Sequence, residues 1–411
     1  MQHRRLVLTF GLLTALFAAG YGVMFTVLDN FRDTYHIAES SLGLIVAVGF
    51  FASFAAQVLF APLADRGHAR QLVFVGMVLN IVGLMAMAAG KTVVVLMLAR
   101  IVMGLGAGCA QPALRRIIIL ADPDNLGSNI GRLLAADVAG FAAGPAISAI
   151  LVGPFGIPAP FLVIAAATVA CIPIIMRVKV NETVLADQPP ARFAFDLLRN
   201  RAYVGAVCFG AAVFLMIGTF DSLWVLVLDD LRTADWIANL GITLFALPLI
   251  FLGSIGGRMS QRVGPFRIGT IGLLAGAGFM FAYGRLPTGG AMFVVSMVHA
   301  FSDGMTVSSS GVAVGMIAPK ERQAGAQGLL GGVETLVGGI AAIVAGRLYQ
   351  SDGRATAYTA CAIGMVVLVG IGLACVGPAW STRPALESEA SPTAATTPKP
   401  TTSPAAARTR S

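Results

Sequence analysis

Apolar runs of about 20 residues, each long enough to cross a hydrocarbon core roughly 30 Å thick, recur along this chain from residue 6 to residue 376. They fall at roughly 6–28, 40–62, 72–89, 93–114, 130–152, 157–176, 203–228, 236–257, 268–284, 291–314, 324–345 and 355–376. Inside lipid a backbone N–H or C=O has no water to bond, so a run of this kind satisfies itself as a helix. Charged residues make up only 12% of the 411, about half of the ~25% usual in a soluble domain. The expected fold class is therefore all-α and integral to the membrane, with 12 transmembrane helices. The 48 glycines suit it, because small residues let helix backbones approach closely in a bilayer.

The cations set the direction of the spans. Arg66 and Arg70, Arg115 and Arg116, Arg258, Arg262 and Arg267, and Lys320 and Arg322 fall in loops on the side that carries both termini. The other side holds single cations such as Arg32, Lys91 and Arg285. By the positive-inside rule both termini are expected in the cytoplasm of a multi-pass plasma-membrane protein. The opening Met1-Gln2-His3-Arg4-Arg5 resembles a secretory leader, but the apolar run behind it is too long for one, so it reads as the first span.

The formal charge of +8 does not point to nucleic acid, since the cations sit in short loops without interleaved aromatics. Cys109, Cys171, Cys208, Cys361 and Cys375 lie inside apolar runs without paired spacing, so neither a disulfide framework nor a metal site is expected. No nucleophile–base set, nucleotide loop or ligand cluster suggests an enzyme, a cofactor or direct coupling to ATP.

Two stretches repeat each other 196 residues apart: Leu63-Ala64-Asp65-Arg66 leading to Gly76, and Met259-Ser260-Gln261-Arg262 leading to Gly272. Each joins the end of one apolar run to the start of the next. The duplication divides the chain into a six-helix bundle over 1–176, a central cytoplasmic loop over 177–202 and a second bundle over 203–376. From 377 to 411 the sequence is rich in Pro, Thr, Ala and Ser and is expected to be a disordered cytoplasmic tail. Paired halves rocking about a shared central site are the usual plan of secondary transporters.

Three local patterns make a family resemblance specific. Ala61-Pro62-Leu63-Ala64-Asp65-Arg66-Gly67-His68-Ala69-Arg70 is similar to the G-x-L-A-D-R-x-G-R-R signature of the major facilitator superfamily, with Ala61 for the first glycine and a glycine displaced to Gly67. Span 4 carries Arg100-x-x-x-Gly104-x-Gly106, like that family's R-x-x-x-G-x-G helix. Span 5 carries Gly140-x-x-x-Gly144-Pro145, which resembles the antiporter signature of its drug:proton exporters, with Ser148-Ala149 replacing a trailing glycine pair. The resemblance covers about residues 5–376 and implies two pseudo-symmetric six-helix bundles. It also implies a cavity lined by spans 1, 4, 7 and 10.

On that reading Asp65, Arg66 and Arg70 pair with Asp122 or with Arg115 and Arg116 to hold the cytoplasmic side closed. Gly140, Gly144 and Pro145 form a hinge and seal between spans 5 and 8. The second hairpin copy, with Gln261 in place of the acid, is expected only to orient the chain. The plainer alternative is that all these arginines merely set topology.

Ionisable residues within spans cost about 2.5–3.5 kcal/mol each at the helix centre and are functional suspects for that reason. The proton-coupling candidates are Asp303 with His299 four residues before it on the same helical face, then Asp221 and Glu334, with Asp29 at a span boundary. An acid that alternates between a wet and a closed cavity can take up and release a proton. Arg100 is the candidate cavity charge, and Asp137 is a further acid in span 5.

The sequence favours a proton-coupled exporter of small amphipathic or drug-like compounds, working as a monomer in the lipid bilayer by alternating access. A same-fold transporter of a defined sugar or organic anion stays open, and Arg100 would suit an anion. A non-transporting sensor or scaffold would be expected to carry an added soluble domain.

Overall fold

In the computed structural model, residues 2–178 and 193–380 are described. The expected central loop falls partly, and the expected tail almost wholly, outside them. The described chain is helical throughout: α1 (Gln2–Thr26), α2 (Leu28–Tyr35), α3 (Glu39–Leu63), α4 (Ala69–Ala89), α5 (Val93–Ala121), α6 (Leu126–Phe155) and α7 (Pro158–Arg177) form the first half. The second half is built from α8 (Arg201–Asp230), α9 (Asp235–Val263), α10 (Pro265–Tyr283), α11 (Gly289–Thr306), α12 (Ser309–Ile317) and α13 (Gln323–Val376).

Ten stretches among the described residues are long and apolar enough to span a membrane, and two of these are double length: Ser41–Ala89, with 49 residues, and Lys320–Val376, with 57. A continuous helix of that size would run roughly 75–85 Å, more than twice the bilayer core. Glycine breaks each one. Gly67 has φ +89°, and Gly353 has φ +80° with ψ 175°, conformations open to a residue without Cβ. α13 is therefore two spans, 323–352 and 354–376, and the total is twelve. The sequence expected an unbroken span 10, but the chain interrupts it between α11 and α12, at Val307-Ser308.

Helix starts are capped by the residues that suit the role. Thr92 accepts the Val95 N–H and Thr288 accepts the Ala291 N–H, two caps 196 residues apart that restate the duplication. Asn200 likewise takes the N–H groups of Ala202 and Tyr203 at the head of α8.

Packing inside each half relies on helices brought close by small residues. Gly76 and Gly83 of α4 face Gly106 and Met103 of α5, and Gly104 and Gly108 of α5 face Gly49 and Ser53 of α3. The first half holds two separate apolar clusters. One surrounds Phe10, Met77 and Ile118, and the other surrounds Val23, Phe31 and Phe161. The second half holds one large cluster around Trp224, Tyr283 and Met365.

One end of the bundle carries the turns after α3, α5, α9 and α12, and with them most of the inter-helix arginines. On this arginine-rich face the two halves meet. α6 packs on α9 with Gly127 and Gly131 against Gly257 and Gly253, so closely that a Cβ on any of the four would strike the facing backbone or side chain. α3 packs on α13, where Gly328 lies against Ala61 and the Gln57 carbonyl, and Gln57 Nε2 donates to Thr335 Oγ1 at 3.2 Å. Toward the opposite face the fit loosens. Residues 134–139 of α6 are all partly exposed, and Gly339 and Gly346 of α13 have no neighbour where a side chain would project.

Candidate functional site

Asp65 occupies the tight turn Ala64–His68, outside the spans, yet it is buried. Its Oδ1 accepts from Arg116 Nε at 3.0 Å and from Ala324 N at 2.9 Å, and its Oδ2 accepts from Gly325 N at 2.7 Å. The last two donors open α13, where unsatisfied N–H groups and the helix dipole attract an anion. Burial pushes the Asp65 carboxyl up to about 6, against the opposing pull of those N–H groups and of Arg116. One carboxylate thus ties the turn to span 4 in its own half and to span 11 in the other.

The second hairpin does more than orient the chain. Gln261 Oε1 accepts the Gly127 N–H at 2.7 Å, and its Nε2 donates to the carbonyls of Pro123 and Asp124, each at 3.2 Å. It caps the head of span 5 as Asp65 caps the head of span 11. An amide carries both a donor and an acceptor, so the lost acid is replaced by a neutral clasp. The 196-residue register was the sequence signal that could have revealed it.

The other residues expected at a gate fall differently from that expectation. Asp122 accepts from Asn125 and Asn129 at 3.0 Å each and serves its own turn rather than the arginines. Arg70 donates to the Met176 carbonyl, which ties α4 to α7. Arg66 lies in the same turn as Asp65 and is partly buried. Arg116, not Arg115, is the partner of Asp65. Arg322, just ahead of α13, pairs with Asp196 and donates to the Phe193 carbonyl. Gly140 and Gly144 pack on α1, against Ala15 and the Gly22-Val23 peptide, with Pro145 following in the same helix. The close contact between spans 5 and 8, where a seal was expected from Gly140 and Gly144, is made instead by Gly127 and Gly131 with Gly253 and Gly257. A GxxxG pattern announces a close contact but not its partner.

His299 and Asp303 come together inside the second half. His299 Nε2 lies 3.4 Å from Asp303 Oδ1 and 3.3 Å from Met216 Sδ, and Nδ1 lies 3.0 Å from Tyr283 Oη. Phe279 stacks on the imidazole at 4.8 Å, while Phe220 and Phe245 meet it edge-on. Gly276 leaves room for the Met216 sulfur that meets this ring, since a Cβ there would sit 2.9 Å from Met216 Sδ. Tyr283 and the three phenylalanines gave no sequence signal, because aromatic residues in an apolar helix carry no mark of which neighbour they face.

The remaining charges are spread over both halves. Glu334 is buried on α13, accepts the Ser310 hydroxyl at 3.2 Å, and fills the space left by Gly210. Asp137 is partly exposed on α6 and Asp221 is exposed on α8. Arg115 is partly buried on α5, and its Nη1 would lie 3.7 Å from a Cβ on Gly331 of α13. Arg100 is fully buried, 4.5 Å above the Tyr21 ring, against Gly49, and none of its three nitrogens meets a hydrogen-bond acceptor in good geometry among the described residues. Asp29 is on α2, its side chain outside the described residues. Among the described residues no group of three or more His, Cys, Asp or Glu could hold a metal ion.

Comparison with known proteins agrees with this architecture. The Major Facilitator Superfamily profile matches residues 10–232 and 223–410. The Quinolone resistance protein NorA of Staphylococcus aureus strain MRSA252 is 29% identical over 129 residues, 31% of this chain and 33% of that protein. NorA of strain Mu50 gives the same identity and coverage. The matched segment thus spans about a third of these relatives. The crystal structure of the human organic anion transporter MFSD10 (TETRAN) superposes with a TM-score of 0.71 at 16% identity, covering 90% of this chain and 99% of that one. Twelve spans in two halves, the hairpin clasp and a profile match along most of the length lead to one conclusion: this chain belongs to the Major Facilitator Superfamily.

Proposed function

We propose that the protein is a proton-coupled exporter of small amphipathic compounds, lying in the plasma membrane with its arginine-rich face and both termini in the cytoplasm. The observation that carries this reading is the uneven meeting of the halves. Tight glycine contacts and the Asp65 and Gln261 clasps lie on one face, and loosened helices lie toward the other. That is the geometry of a two-sided carrier closed on one side. Buried acids on both sides of the interface supply groups able to exchange protons, and the partial likeness to NorA favours drug-like cargo.

The direct test is dye retention in a bacterial host that lacks its own efflux pumps. Cells making the protein should hold several-fold less of a lipophilic cation such as ethidium, and a proton uncoupler should erase the difference. Equal retention with and without the protein, across several such dyes, would remove the export reading.

One observation favours a second reading, transport of an organic anion. The guanidinium of Arg100 is buried beside an aromatic face, and its three nitrogens meet no hydrogen-bond acceptor in good geometry among the described residues. Uptake or release of a labelled aromatic carboxylate by proteoliposomes, lost in Arg100→Gln, would decide for it.

A further inference from the structure

Counted from the heads of equivalent helices, two acids stand at one depth, one place apart in the 196-residue register. Thr92 and Thr288 cap equivalent helices, and Asp137 is the twelfth residue of α6 as Glu334 is the twelfth of α13. Counted at ~1.5 Å per residue, both carboxylates stand roughly 16–17 Å in from the arginine-rich face. The 196-residue register puts Gly311 where Arg115 stands in the first half. Of the two copies of this position, only the one in the first half carries a cation.

The geometry of that cation is open. Arg115 is only partly buried, and its Nη1 would lie 3.7 Å from a Cβ on Gly331, one helical turn before Glu334 on the other half. It closes no ion pair within 4 Å with either acid among the described residues. Asp137 shares its half and moves with it. Glu334 does not.

We propose that Arg115 is a switch cation, attracted across the interface by Glu334 while the arginine-rich face is closed and left to Asp137 when that face opens. The attraction between Arg115 and Glu334 exists only while Glu334 is ionised. A proton on Glu334 removes it and weakens closure; loss of that proton restores it. The sign suits the export cycle proposed above, in which a proton from outside must favour opening to the inside. The groups facing Glu334 are Arg115 on α5, Tyr203 on α8 and the Ser310 hydroxyl on α12, with Asp137 competing for the same guanidinium. Arg115 is a positioning residue here, since it acts by holding the halves together.

The test reads conformation rather than transport. Spin labels at His68→Cys and Lys320→Cys, exposed positions on opposite halves of the arginine-rich face, report closure by pulsed electron spectroscopy in lipid nanodiscs. The full chain is used with its five cysteines replaced, at pH 8, where Asp65 is ionised whether buried or exposed. Glu334→Gln and Arg115→Gln should each lower the closed-to-open ratio about tenfold. The exchange Arg115→Glu with Glu334→Arg should recover most of it, which a purely structural role for either side chain would not do. Asp137→Asn should instead raise the closed fraction by freeing Arg115. Unchanged ratios in folded Arg115→Gln, or a charge exchange no better than the single variants, would overturn the switch. If the parent moves no dye but shows this pattern, the export reading fails and the switch stands. If the parent exports with proton dependence while Arg115→Gln stays closed, the switch alone fails.

Discussion

Nε of Arg116 lies 3.0 Å from Oδ1 of Asp65, with both side chains shut away from solvent. That pair alone would only brace one half. The Asp65 carboxylate also accepts two backbone N–H groups from the head of α13, so it bonds both halves at once. Removing it would strand a buried guanidinium and two helix-end donors together.

Asp65→Ala is accordingly expected to cost about 3–5 kcal/mol in the closed conformation, the usual penalty for breaking a buried pair from one side. Maleimide labelling of a cysteine at Ala61, buried at the α3–α13 contact, should rise at least tenfold. Labelling no faster than in the parent would show that Asp65 does not hold this face shut.

The pH response of this clasp has a defined sign. Burial raises the Asp65 carboxyl to about 6 in the closed form, whereas exposure on opening returns it toward ~3.9. The closed form therefore binds the proton more tightly. The contribution to closure is complete below about pH 4, falls as pH rises through about 6, and is flat above that. In the Glu334→Gln background, the labelled pair at His68 and Lys320 should lose closed population between pH 4.5 and 7 and then level off. Asp65→Asn should abolish that slope.

The buried imidazole makes a separate prediction. Asp303→Asn should remove proton-driven dye export while leaving expression and membrane insertion intact. Tyr283→Phe, which deletes only the hydroxyl at His299 Nδ1, should shift the pH dependence of export with a smaller loss of rate. Full uphill export by Asp303→Asn would move the coupling role to Asp221 or Glu334.

Gly131 stands against the Gly253 backbone with no room for a side chain. Gly131→Val should force the halves apart on the arginine-rich face, at a cost of roughly 1–3 kcal/mol in the closed form. Labelling of Ala61→Cys reads this too, and an unchanged rate would mean that the α6–α9 contact is not part of closure.

Gly353 turns the chain between the last two spans at φ +80° and ψ 175°, a region essentially reserved for glycine. Gly353→Ala should destabilise the protein by about 1–3 kcal/mol. A thermal melt in detergent would show it as a lowered midpoint, while Gly346→Ala, where a Cβ meets nothing, should be neutral.

The sequence carried the spans, the duplication and the importance of the Asp65 turn, because bilayer length and loop arginines are one-dimensional signals. It did not carry side-chain direction. A helix that is apolar all round has no polar stripe to show which face is inward, so nothing marked Gly140 as a partner of Ala15 or His299 as enclosed by phenylalanines. Gln261 was undervalued for a different reason. Its resemblance to Asp65 is one of hydrogen-bonding role, and the loss of charge hid it.

The two clasps differ in chemistry, and that difference has a mechanical result. At the α3–α13 edge the halves are joined by an ionisable carboxylate, while at the α6–α9 edge they are joined by a neutral amide and bare peptide groups. Acidity can act on the first edge and has almost no purchase on the second. The molecule should part there as a door does, swinging from its jamb at Gln261 and letting go at the Asp65 bolt.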